Sequence, residues 1–334
     1  MLSTVTEKDL LKYLKEEHRL PVEVPRRNYW FLRTNGGDFF KDFCKNNYVA
    51  IGWDDIQPIA EKDRTEEILK GYKLIYGRMT TRIMNQVYRF CYEMKKGDIV
   101  IIPAARSNKF AFGVLTEDSW YEETLTNEVL EDKCACHFKK RRSVKWIQSA
   151  AKHMVDSKLY LFFRNQQALS NANDYTEFIE RAINPYYILA GVAHITFSVQ
   201  RKSNIPAPYL PLFITGLLEY ASTLSNSIAS RQSETEDAFS NKISARINVQ
   251  SPGVIEFLGD PVSILCLAIV GFLIVGGKAH FSYTSSEGIN ADLSTDGVLG
   301  FILKLLKQKK DSHVSVEALQ EITNDLNIKP PKDD

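Results

Sequence analysis

Four consecutive cations, Lys139, Lys140, Arg141 and Arg142, with Lys145 close behind, are the densest block of charge in this chain. A run of this kind suits an anionic polymer, phosphate diesters above all. Arg78, Arg82 and Lys109 are further cations in the same half of the sequence and complete a set of candidate phosphate contacts. If the run lies on a strand, Arg141 and Arg142 point to opposite faces, so only one of them can share a cleft with Lys139. Glu122, Glu123, Glu128, Glu131 and Asp132 precede the run and offer it internal partners.

Other reactive residue types do not assemble into a reaction centre. Cys134, Cys136 and His137 suggest zinc, but no second CxxC or HxxxH supplies the remaining ligands. On a strand the two cysteines would share one face and the histidine the other. There is no G-x-S-x-G elbow and no G-x-x-x-x-G-K-[ST] loop; Gly276-Gly277-Lys278 lacks the earlier glycine. Glu256, Asp260, Asp292 and Asp296 are scattered, without the Glu-x-Lys or Asp-x-Lys spacing of a magnesium nuclease. Asp98, after Gly97, fits turn chemistry. These readings predict a protein that is not an enzyme and takes no metal or cofactor.

The elements that would position these residues fall into two domains, as a length of 334 residues suggests. Hydrophobic residues at 44% allow a sizeable core, and a net charge of +1 means that any nucleic acid must meet a local basic surface. Residues 1–27 read as a helix and linker, Thr6 to Arg19 being amphipathic with Thr6 and Asp9 spaced as reciprocal caps. Residues 28–185 alternate strands (Tyr29–Arg33, Tyr48–Trp53, Asp98–Pro103, Lys109–Leu115, Cys134–Ile147) with helices (Asp38–Asn47, Thr65–Tyr76, Thr80–Met94). That order predicts an α+β barrel. Residues 186–334 read as a smaller α+β interaction or assembly domain. Its strands are HITFSV and SARINV, its helices Leu210–Ser230 and Asp296–Lys309, with a solvated loop at SRQSETEDAFSN. The apolar run 262–275 is shorter than the roughly 20 residues of a bilayer span, so a buried element is expected and a membrane partner is not.

Four segments in order, YWFLRTNGGDFFKDFCKNNYVAIGW, NQVYRFCYEMKKGDIVIIP, FAFGVL and RRSVKWI, resemble the PUA-like, EVE-related module of bacterial restriction-type proteins. The resemblance covers about residues 28–147. It implies a small β-barrel that accepts a flipped, often modified, base between aromatic walls. Carried onto this sequence, Trp53 becomes the stacking wall with Tyr29 or Trp30 opposite. Trp30 and Arg33 fall on the first strand, and Asn35 and Asn85 are amides suited to reading a base edge.

The expected function is non-catalytic recognition of nucleic acid, DNA rather than RNA, through a modified base, within a cytoplasmic bacterial defence (restriction or antiphage) system. The C-terminal domain would mediate homo-oligomerisation or recruit an effector. An RNA reader, a membrane-inserting effector triggered through the N-terminal domain, and a diverged nuclease are the alternatives. Five scattered cysteines and a charged segment from Met1 to Arg19 fit the reducing compartment.

Overall fold

The computed structural model describes residues 5–16, 20–132, 135–228, 233–249, 252–275, 295–309 and 312–329. Cys134, residues 17–19, the 276–278 segment and Asp292 lie outside them. The chain is mixed α+β and divides into two compact units, Pro25–Ile183 and Met1–Val24 with Asn184–Asp334.

The continuous unit is built on one curled sheet. Its strands are β1 (Tyr29–Leu32), β2 (Tyr48–Ile51), β3 (Ile99–Pro103), β4 (Lys109–Leu115), β5 (Lys140–Ala151) and β6 (Leu169–Asn171), in the order β2-β5-β4-β3-β1-β6. β3 and β4 pair antiparallel across the Ala104–Asn108 turn, as their sequences predict. β1 runs parallel to β3, which requires a long crossover. That crossover carries β2 and the helices α1 (Phe40–Asn46), α2 (Glu66–Tyr76) and α3 (Thr80–Tyr88).

Period-2 alternation sends each central strand into two cores. Trp30, Leu32, Val100, Ile102 and Ala111 face one cluster, roofed by Phe43 of α1 and by Ile83, Met84 and Val87 of α3. Tyr29, Phe31, Ile99, Ile101, Phe110 and Phe112 face the other, closed by Leu159, Phe163 and Ile179. Burial on both faces explains why IVII is an unbroken apolar run. The curl has a local cause. β5 is 12 residues long and pairs with β2 through Lys140–Ser143, then with β4 through Val144–Ala151, whose register shifts between Phe112 and Gly113. A Cβ on Gly113 would lie 2.3 Å from Val144 Cγ1, so only glycine lets β5 cross this closely.

Two expected boundaries move. The predicted Thr80–Met94 helix is α-helical to Tyr88 and then widens into a π-helical turn, Arg89–Glu93. The basic run does not begin its strand at Cys134 but at Lys140. Three of its four cations are spent on the fold. Arg142 is fully buried; its guanidinium donates to the carbonyls of Phe90 and Cys91 at 3.1 Å each, and to those of Glu117 and Asp118 at 3.1 and 2.8 Å. It therefore caps the π-helical turn and ties it to the loop after β4, and it is not available to a phosphate. Burial pushes this guanidinium's pKa down.

In the discontinuous unit, β7 (Tyr186–Leu189), β8 (Val192–Val199), β9 (Ile243–Val249) and β10 (Gly253–Gly259) form a sheet ordered β7-β8-β10-β9. Val22–Glu23, expected as linker, adds a short strand beside β7, and Ile328–Lys329 pairs with β8. Against it pack α4 (Tyr209–Asn226), α5 (Pro261–Val275), α6 (Thr295–Gln308) and α7 (Val316–Asp325), with the N-terminal helix Glu7–Glu16. That helix shows its reciprocal caps, Thr6 N–H donating to Asp9 at 2.9 Å and Asp9 N–H to Thr6 Oγ1 at 3.3 Å. The apolar run is the core helix α5, buried from Ser263 to Ile274, and no helix among the described residues is long and apolar enough to cross a membrane. Within the expected loop SRQSETEDAFSN, Glu236–Ser240 is helical, capped by Thr235.

Replacing Arg142 with Met would leave four main-chain carbonyls without their donor. The expected cost is about 3–5 kcal/mol, as for breaking a buried charged interaction. Thermal unfolding followed by circular dichroism should show Tm lowered by about 10 °C or more; an unchanged Tm would contradict the capping role.

Candidate functional site

The residues expected to wall a base pocket are dispersed. Tyr29 is buried, its hydroxyl donating to the fully buried Glu180 at 2.5 Å, with Arg27 on the same carboxylate. Burial, then this hydrogen bond, pushes the phenol's pKa far up. Trp30 is buried and donates from Nε1 to Asp98 Oδ2 at 2.9 Å. Asp98 also accepts the main-chain N–H groups of Asn28 and Lys95, at 2.9 and 3.0 Å. Both aromatics are thus core residues with their polar ends satisfied, not walls of a base pocket. Arg33 donates to the Asn165 carbonyl at 2.7 Å, and Asn85 accepts from Arg64 at 2.6 Å. Asn35 is exposed in the turn after β1 and donates to Asp38 at 3.1 Å.

Trp53 is partly buried against the cluster that includes Ile68, Leu69 and Tyr72. Its backbone is left-handed, with φ +63°, a costly conformation for a bulky residue. The strain is held by Lys140, whose ammonium is buried and donates to the carbonyls of Trp53 and Asp54 at 3.1 and 2.8 Å.

The candidate phosphate contacts also divide. Arg142 is excluded by burial, as above. Arg141 is 8% exposed; it donates to the carbonyls of Phe138 and Cys136, pairs with Glu123 at 3.2 Å and lies 4.1 Å over the Tyr48 ring. Glu123 belongs to the acidic stretch expected to compete for this run. Arg78, Arg82, Lys109, Lys139 and Lys145 are exposed.

What the structure does bring together is a cleft of about 1130 Å³ between α1, the Ala104–Lys109 turn and the short strand Tyr121–Glu122 that pairs with β5, with Val129, Asp132 and Ala135 also on its lining. Phe40, Lys41, Asp42, Lys45 and Asn46 of α1 line it, with Tyr48 and Arg141 from the paired strands β2 and β5, Tyr121 and Lys109. Gly37 lets two turns meet here. Its φ is +110°, and a Cβ would fall 2.3 Å from Ala105.

The electrostatics of this cleft are uneven. Asp42 accepts from the Tyr48 hydroxyl at 2.5 Å, from Cys136 N–H at 2.8 Å and from Asn46 at 2.5 Å. Glu123 is engaged by Arg141. Lys41, Lys45 and Lys109 are exposed and have no ion-pair partner among the described residues, while Asp38 and Asp132 on the same lining bring its carboxylates level with its cations, so the lysines are available individually and not as a net positive field. Lys109 already acts on a neighbour, drawing the Cys44 thiol's pKa down against the larger upward effect of burial. Of the fourteen residues expected to contact base or phosphate, this cleft uses two, Lys109 and Arg141. Lys41 and Lys45 escaped notice because each is isolated in sequence, and Tyr48 and Tyr121 because a lone tyrosine on a strand reads as core. The helical spacing of Lys41 and Lys45, four residues apart on one face, is the signal that could have found them.

Residues 30–166 match the model of a family described as a domain of unknown function (DUF8426). No curated protein matches the chain.

The thiols around this unit give a pH-dependent check. Burial raises Cys136 to about 11 and Cys91 to about 12, and raises Cys44 less. Since the thiolate is the nucleophile, alkylation mapped by mass spectrometry should be slow at neutral pH for all three, and should accelerate first at Cys44 as pH rises. Rapid labelling of Cys91 in the folded protein at neutral pH would contradict this placement.

Proposed function

We propose that the Pro25–Ile183 unit is a non-catalytic, PUA-like reader of nucleic acid that holds an unstacked base and its flanking phosphates in the α1 cleft. The supporting observation is the combination in one cleft of three unpaired lysines, Lys41, Lys45 and Lys109, with the rings of Phe40 and Tyr121, above a floor closed by Tyr48 under Arg141. Phosphates supply the charge that the lysines lack, and bases supply the faces that rings stack on. Tyr121 is 39% exposed and so has a face to offer. The cleft exceeds the roughly 300–1,000 Å³ of small-molecule sites, which suits a strand segment. Asn46 and Asn108 on its lining carry amides able to read a base edge. DNA carrying a modified base, in a bacterial defence setting, is the ligand this reading favours, with the other unit linking recognition to oligomerisation or an effector.

Fluorescence anisotropy with short single-stranded DNA and RNA, carrying cytosine or its 5-methyl or 5-hydroxymethyl form, tests the proposal. Each Lys→Glu change at 41, 45 or 109 should weaken binding, and each lost phosphate contact should reduce the slope of log K against log salt by about 0.7. Tyr121→Ala should cost about 1–3 kcal/mol without altering that slope. Binding indifferent to all four substitutions would remove the cleft from the account.

A further inference from the structure

The C-terminal end of α2 presents a face that nothing within its unit explains. Leu74 is 90% exposed, Ile75 67% and Met79 42%, in a segment whose other apolar residues, Ile68, Leu69, Tyr72 and Tyr76, pack on the core. The helix is anchored from that inner side, the Tyr76 hydroxyl donating to Asp55 at 2.6 Å, and it stops at Gly77, where φ is +54°. Leu74 and Ile75 therefore stand on the outer side of a fixed helix end. Lys73, Arg78 and Arg82 accompany them, all exposed and without an ion-pair partner among the described residues. The helix's own acids lie at its other end, Glu66 pairing with Lys70 one turn on and Glu67 in the first turn, while Asp55 is held on the inner side by Tyr76.

We propose that this helix end is a peripheral docking point for an anionic lipid surface. The occupant must be negative to complement three unpaired cations. That requirement disfavours a second copy of the same face, which would set cation against cation. It must also accept aliphatic side chains that protrude instead of forming a groove. The headgroup and acyl boundary of a bilayer meets both needs, since leucine and isoleucine enter the apolar layer while lysine and arginine meet lipid phosphates. Stacking on nucleobases would instead call for protruding aromatic rings, whereas the apolar side chains that stand out most from this tip are the aliphatic Leu74 and Ile75 and the thioether Met79. Such attachment is shallow and involves no spanning helix. It is independent of the nucleic-acid reading of the cleft.

Co-sedimentation of the full chain with phosphatidylcholine vesicles, with and without phosphatidylglycerol, tests it. Pelleting is expected only with the anionic vesicles and should fall with added salt. Leu74→Glu with Ile75→Glu, and separately Lys73→Glu with Arg78→Glu and Arg82→Glu, should each weaken partitioning at least about tenfold. All five residues are exposed, so both variants should keep the parent Tm. As a second readout, Leu74→Trp should show a blue shift in emission on anionic vesicles. Protein that stays in the supernatant, or pelleting undiminished in both variants, overturns the proposal. So does loss of DNA binding in the tip variants without loss of vesicle binding, which would assign the face to nucleic acid.

Discussion

A buried guanidinium organises the continuous unit. Arg142 sits near the start of β5, the strand that carries the curl, and closes the carbonyls of the Arg89–Glu93 turn and of the loop after β4. An unpaired charge could not remain there, because the desolvation cost would exceed anything the packing returns. Four main-chain acceptors make it tolerable, and in doing so they fix where α3 ends and how β4 leaves the sheet. Lys140 and Arg141, on either strand edge nearby, do the same for the Trp53 turn and for the Cys136–Phe138 segment.

The cleft is a consequence of that arrangement. With Arg141 folded over Tyr48 and bound to Glu123, and Asp42 saturated by three donors, the floor is electrically quiet and rigid. The charge that remains available is on α1 and on the turn between β3 and β4. If the cleft binds as proposed, position would be set by the buried ionic contacts and attraction by the exposed lysines.

How much of this was legible follows from what each signal measures. Alternation and turn residues identified β1 to β4, because IVII and FAFGVL bury both faces and Gly97-Asp98 admits a turn of one geometry. The apolar run was legible as a buried element by its length, but an unbroken apolar run carries no periodicity to tell its helix from a pair of strands. The KKRR block misled because charge density along a sequence says nothing of burial: a strand buried on both faces can absorb cations if carbonyls converge on them, and that convergence is a tertiary property. Trp30 misled for a similar reason, since only the fold reveals that Asp98 satisfies its indole. Lys41 and Lys45 were overlooked because their partner Lys109 is distant in sequence and joins them only when Gly37 meets Ala105.

The most direct test of the central claim is photo-crosslinking of 5-iodouracil-substituted single-stranded DNA to the full chain, with adducts located by mass spectrometry. The account predicts adducts on Phe40 or Tyr121, lost when Lys41, Lys45 and Lys109 are replaced with Glu. Adducts confined to Trp53, or none that depend on those lysines, would contradict it.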